Sequence, residues 1–104
     1  MKAEVIEAIF RSSAVSMTVL LPDIVADTQD NGPYMRLVAV DSLNTLFSCT
    51  HVDNVVIVTV DDPTLVRYVG FSQHTCRYEA DLYTTLAALM RNIQVIDTLL
   101  DGAA

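Results

Sequence analysis

The chain is poor in the residues on which much recognition chemistry depends. It has no tryptophan, only three glycines, and six basic residues against 13 acidic ones, which gives a formal net charge of −7. Three glycines leave no glycine-rich loop to cradle phosphates. Binding of nucleic acid through its phosphates requires a basic patch, and Lys2 is the only lysine in the chain. We therefore expect no direct nucleic-acid binding and, if the charge serves recognition, a protein partner with a basic surface.

Long apolar runs are also missing. The longest one near the amino end, Ala14 to Ala26, is interrupted by Ser16, Thr18, Pro22 and Asp23. It is too short and too polar for the roughly 20 apolar residues that a membrane-spanning helix needs. Glu4 and Glu7 lie where a secretory signal would carry positive charge. These features predict a cytoplasmic protein outside the membrane, in which the two cysteines stay reduced.

The length and the apolar content predict one folded domain that spans residues 1–104. Hydrophobic residues make up 52% of the chain and charged residues 18%, a balance that is too apolar for a disordered protein. One domain of this size forms one ordinary core.

The amino-terminal part predicts one helix or two. Apolar residues recur at helical spacing near the start, at Val5, Ile6, Ile9 and Phe10. Beyond Ser12 the pattern fits both a helix and a strand, and we favour the helix, which Pro22 would kink or follow with a second helix. The breaker-rich segment from Thr28 to Pro33 predicts a loop.

The middle of the chain predicts an antiparallel meander of three to four strands. The segments 34–40, 45–52, 55–60 and 64–71 are rich in strand formers. Asp53 and Asn54 suit a two-residue hairpin turn that pairs Val52 with Val55. This register places one set of side chains on a single apolar face, which comprises Phe47, Cys49, His51, Val56, Val58 and Val60. The Asp62-Pro63 step predicts a type I turn.

The carboxyl-terminal part predicts a long amphipathic helix packed on one face of the sheet, so the fold class is α+β. Its apolar ladder consists of Leu82, Leu86, Leu89, Ile93, Ile96 and Leu100. Tyr83, Ala87 and Met90 add a second apolar row beside the ladder. So much apolar surface is more than a small sheet covers easily, so we predict that the ladder is the interface of a homodimer.

All cysteines and histidines fall into two mirrored pairs, Cys49 with His51 and His74 with Cys76. On strands, residues two apart point to the same side, so the two pairs could supply four zinc ligands. The alternative is a buried thiol and a hydrogen-bonded histidine at each place. A cysteine nucleophile beside a histidine lacks oxyanion-hole glycines here, so we predict no catalytic residue.

Aspartates end two of the strand-like segments, Asp41 after the first and Asp61-Asp62 after the third. At one edge of a parallel sheet such carboxylates hold magnesium. Elsewhere they form turns or cap helices, and the sequence leaves both interpretations open.

Taken together, these features favour a non-enzymatic binding or interaction module that forms a homodimer with an acidic surface. One alternative is a small metal-binding protein or metal-dependent enzyme that uses zinc. Another is an acidic mimic of nucleic acid or a chaperone-like accessory protein. In size, charge and its terminal helix the chain resembles type III secretion chaperones, which implies a dimeric accessory protein and assigns no site residue.

Overall fold

The computed structural model describes residues 1–21, 23–29, 34–39 and 44–103. Helices and strands follow in the order α1 (Ala3–Leu20), β1 (Ile24–Gln29), β2 (Tyr34–Ala39), β3 (Thr45–Val52), β4 (Val55–Val60), α2 (Pro63–Val69), β5 (Gln73–Cys76) and α3 (Glu79–Ala103). The α+β class, with an amino-terminal helix, an antiparallel sheet and a carboxyl-terminal helix packed on it, is confirmed. None of the helices in the described ranges is both long and apolar enough to cross a membrane.

The sheet is an antiparallel meander in which every strand pairs with its neighbour in the chain. Its order is β1-β2-β3-β4-β5, so it has five strands where the sequence predicted three to four. The predicted hairpin register is confirmed, because Val52 pairs with Val55 and Phe47 with Val60. Asp53 and Asn54 adopt φ angles of 50° and 65°, as a two-residue turn with two left-handed positions requires.

The amino-terminal part forms a single helix followed directly by a strand. The helix α1 continues past Ser12 to Leu20, as predicted. The prediction of a helical continuation or a second helix after Pro22 is wrong, because β1 begins at Ile24. Ile24 is 9% exposed and Val25 is 49% exposed, which is the alternation of a strand. The predicted loop at 28–33 starts later, since Thr28 and Gln29 belong to β1, and residues 30–33 lie outside the described part.

The predicted fourth strand, at 64–71, is wrong, because this segment forms α2. The carboxylate of Asp62 accepts a hydrogen bond from the backbone N–H of Leu65 at 3.1 Å, and Pro63 occupies the first turn. Gly70 ends the helix with φ of 84°, a conformation that glycine adopts without strain. Capping at both ends therefore outweighs the strand propensity of the residues between. The actual last strand, β5, follows at Gln73–Cys76.

The helices cover one face of the sheet and share one core with it. Phe47, Cys49, Val56 and Val58 are 0% exposed, whereas the intervening residues of β3 and β4 are half-buried or exposed. The core also contains Ile6, Ile9 and Phe10 from α1, Leu65 from α2, and Leu82, Leu86, Leu89 and Ile93 from α3. The predicted apolar face of the hairpin is thus the face on which the helices pack.

The apolar ladder of α3 is covered by the chain itself. Leu82, Leu86, Leu89 and Ile93 are between 0% and 5% exposed, and Ile96 is half-buried against the same core. The side chain of Leu100 lies outside the described part. In this fold the chain itself therefore covers the first four ladder residues. The homodimer itself stays a prediction.

Candidate metal centre

The four residues of the predicted zinc site lie on two strands that flank β4. Cys49 and His51 are on β3, and His74 and Cys76 are on β5. The register aligns Cys49 with His74 and His51 with Cys76 across β4, so all four belong to the face on which the helices pack. Strands two positions apart are separated by about 9.5 Å. β4 therefore lies between the Cys49–His51 pair and the His74–Cys76 pair. A metal site that uses all four residues stays a prediction.

Two of the four predicted residues, His74 and Cys76, lie close to a third side chain of a type that can bind a metal. Single ligand atoms of His74, Cys76 and Asp81 all lie within 4.8 Å of one another, and no other group of this kind is found within the described residues. Asp81 was not among the predicted site residues. It lies in the first turn of α3, five residues after Cys76, and its place depends on the short turn between β5 and the helix. The only sequence signal for Asp81 was its position as an acidic residue at the start of the carboxyl-terminal helix, shortly after His74 and Cys76.

The local fold explains why these side chains meet. The alternation of β5 points His74 and Cys76 to the same side. α3 begins at Glu79, and the N–H of Leu82 donates to the carbonyl of Tyr78 at 3.1 Å. The Nε2 atom of His74 donates to both carboxylate oxygens of Asp81, at 3.0 Å to Oδ2 and 3.2 Å to Oδ1. Asp81 also lies near the positive end of the helix dipole, which favours its negative charge.

Two further residues hold this group in place. The hydroxyl of Thr85, which is 6% exposed, lies 3.5 Å from Oδ1 of Asp81, to which it donates, and 3.7 Å from the Sγ atom of Cys76, from which it accepts. The ring of Phe71 lies 5.4 Å from the ring of His74, centre to centre, at 45°. Neighbours of this kind orient the ligands of a metal and tune their basicity.

Burial keeps both thiols in the protonated form at neutral pH. It raises the pKa of Cys49 far above its ordinary value, and the neighbouring Cys76 adds to the effect. Burial also raises the pKa of Cys76, while the hydrogen bond with Thr85 acts in the opposite direction and the charge of Asp81 raises it further. A reactive cysteine requires a lowered pKa and solvent access, and Cys49 and Cys76 are both 0% exposed. Neither thiol therefore has the character of a nucleophile.

The remaining sequence candidates lie outside the group formed by His74, Cys76 and Asp81. Asp62 caps α2, so the interpretation as a helix cap is the one that holds for this residue. Asp41 lies outside the described part of the chain. The Nε2 atom of His51 is buried and has no hydrogen-bond partner among the described residues.

Comparison with known proteins found no match for this chain. No protein-family model matches it, and neither a curated protein nor a solved structure matches it. The function therefore has to be inferred from the geometry of the candidate centre and from the surface of the helices.

Proposed function

We propose that this protein binds a divalent transition metal, with zinc as the best match, through His74, Cys76 and Asp81. The single observation behind this proposal is that an imidazole nitrogen, a sulfur and a carboxylate oxygen lie within 4.8 Å of one another. Zinc is bound in proteins by these three donor types, and a mixed nitrogen, sulfur and oxygen set suits it better than magnesium or calcium, which prefer oxygen.

The spacing of the nitrogen and oxygen donors suits a tetrahedral ion after a small adjustment, and the sulfur of Cys76 lies within 4.8 Å of both. Metal–ligand bonds of about 2.0–2.3 Å separate neighbouring ligand atoms by roughly 3.3–3.7 Å. The Nε2 atom of His74 is 3.0–3.2 Å from the oxygens of Asp81, so these atoms need to separate by only a few tenths of an ångström. The ion would replace the proton that the two side chains share, and it would also displace the proton of the Cys76 thiol.

The free state of the cysteines is compatible with metal binding in a reducing compartment. Both cysteines are free and buried in the structure, which is the state expected of a cytoplasmic protein. We therefore keep the cytoplasmic location as part of this proposal. A metal that binds only the folded state also stabilises it, by about 2.7 kcal/mol when the free metal exceeds its dissociation constant 100-fold.

The test is zinc binding by the reduced protein, measured by calorimetry and by elemental analysis after gel filtration. We expect about one zinc per chain. Changes in residues around a metal's ligands already cost roughly 10- to 100-fold in affinity, so His74→Ala and Asp81→Asn should each cost more than about 100-fold. Glu79→Gln is the matched control for Asp81, because it removes an acid from the same helical turn.

A second control separates the proposed centre from the four-residue set that the sequence suggested. His51→Ala removes the other histidine on the same face of the sheet, and it should leave the zinc affinity unchanged. An equal loss of affinity in His51→Ala and His74→Ala would contradict the three-residue centre and favour ligands from both β3 and β5. A wild-type protein that remains metal-free in excess zinc would refute metal binding altogether.

A second candidate function is the interaction module, with another copy of this chain as the partner. Exposed apolar side chains on the two long helices favour it: Val15 is 64% exposed, Val19 is 74% exposed and Tyr83 is 55% exposed. A groove of about 210 Å³ lies between α1 and α3, lined mainly by Ser12, Ser13, Ser16, Met17, Tyr83, Leu86, Ala87 and Met90. Residues 8–20 and 82–96 contain no aspartate or glutamate although the net charge is −7, so two copies can meet there without repulsion between carboxylates.

Sedimentation velocity tests this second candidate. The wild type should sediment as a dimer at about 100 μM, a concentration that populates even weak dimers. Val19→Asp should sediment as a monomer, because it places a charge in the contact. Val52→Asp is the control, since Val52 is also exposed, at 41%, but lies beside the hairpin turn. A wild type that is monomeric throughout the concentration range would refute the homodimer.

A further inference from the structure

We infer that a metal bound by His74, Cys76 and Asp81 keeps one coordination position open to solvent and takes an exogenous ligand there. This inference rests on the proposed function. It places the centre with catalytic zinc sites, which have three protein ligands and a water, and not with structural sites, which are closed by four.

The centre offers three protein ligands. Within the described part of the chain, the group contains three side chains of the types that bind zinc. Among the described residues, the Thr85 hydroxyl is a further polar group at the centre, 3.7 Å from the Sγ atom of Cys76. A neutral hydroxyl is not among the usual protein ligands of zinc. Because zinc prefers four ligands, the fourth has to come from outside the group.

The burial of the ligands sets the direction of the open position. Cys76 is 0% exposed and Thr85 is 6% exposed, so these two residues form the inner side of the centre. The side chains of His74 and Asp81 are each 39% exposed, and they form its outer side. In a tetrahedron the fourth position points away from the other three ligands. With the sulfur on the inner side, an outer position faces water, where small molecules have access.

The chemistry of such a position defines the ligand class. An open site on zinc holds water or hydroxide and exchanges it for small Lewis bases such as azide, imidazole or a carboxylate. The ion also acts as a Lewis acid toward a carbonyl or phosphoryl oxygen. The metal-dependent enzyme that the sequence suggested as an alternative would require this position.

The test uses the protein loaded with cobalt, whose visible spectrum reports the coordination of the ion. Azide is added to the loaded wild type, and its visible bands should shift in a saturable manner with one azide per cobalt. Thr85→Val, which removes the hydroxyl and keeps the shape of the side chain, should bind cobalt more weakly, because the hydroxyl contacts both Cys76 and Asp81. Once loaded with cobalt, this variant should still take up one azide per cobalt, because the hydroxyl does not occupy the open position.

The possible results distinguish the open position from metal binding itself. A protein that binds cobalt tetrahedrally but shows no response to azide or imidazole would overturn the open position while leaving metal binding intact. An azide response that appears only in Thr85→Val would also overturn it, because the hydroxyl would then be the fourth ligand. Failure to bind cobalt at all would overturn both statements.

Discussion

Replacing Leu89 with alanine is expected to lower the free energy of unfolding by about 2–5 kcal/mol, the usual range for a truncated core leucine. Leu89 is 0% exposed and lies in the middle of the ladder of α3, within the core that the helices share with the sheet. Its truncation reduces the apolar surface that folding buries, and it leaves a cavity that the closely packed neighbours fill only in part. Urea unfolding followed by circular dichroism measures the loss.

The control for Leu89 lies on the same helix. Val95 is 43% exposed, so Val95→Ala should change the stability by less than about 1 kcal/mol. The measurement is repeated over a 100-fold range of protein concentration. If the loss caused by Leu89→Ala depended on concentration, Leu89 would be buried between chains, and the ladder would after all be an interface.

Replacing Phe47 with alanine is expected to cost about 3–5 kcal/mol, because the substitution empties the volume of a whole buried ring. Phe47 is 0% exposed and lies on β3, the central strand of the five, where it pairs with Leu37 and Val60. Domains of this size have about 5–15 kcal/mol of stability in total, so this variant approaches the limit of folding. Thermal unfolding should show a large decrease of the midpoint.

Two comparisons make the Phe47 result interpretable. Phe47→Leu, which retains most of the volume, should cost less than about 1.5 kcal/mol even if the alanine variant does not fold. Val52→Ala changes an exposed residue of the same strand, and its effect should be under about 1 kcal/mol. Equal losses in Phe47→Ala and Val52→Ala would contradict the assignment of the covered face of the sheet.

The sequence was informative wherever a repeating pattern and a local turn agreed. The β3–β4 hairpin has strict alternation and a turn whose two residues tolerate left-handed angles, so both its register and its buried face could be predicted. The segment after Asp62 shows the opposite case. Val66, Tyr68 and Val69 are good strand formers, but a cap, a proline and a terminal glycine lie around them and decide in favour of a helix. A prediction that sums the strand propensity of each residue misses these short capping signals.

The candidate centre could be predicted only in part, for a related reason. The two-residue spacing of His74 and Cys76 is a local property of a strand, and the sequence displayed it. Asp81 reaches them only because the chain turns between β5 and α3, and that geometry cannot be derived from composition. The ladder of α3 had a comparable limit. Periodicity identifies the side that avoids water, but it does not say whether the chain itself or a second copy covers that side.

The order of the sheet also has a consequence for the speed of folding. Each strand pairs with the strand that directly precedes or follows it, and only two residues join β3 to β4. Short loops lose little entropy on closure, and chains dominated by contacts between nearby residues fold quickly. We therefore expect the meander to form by successive addition of hairpins, beginning at the Asp53-Asn54 turn. Docking of α1, the element most distant in sequence from α3, would then be the slow, long-range step that completes the core.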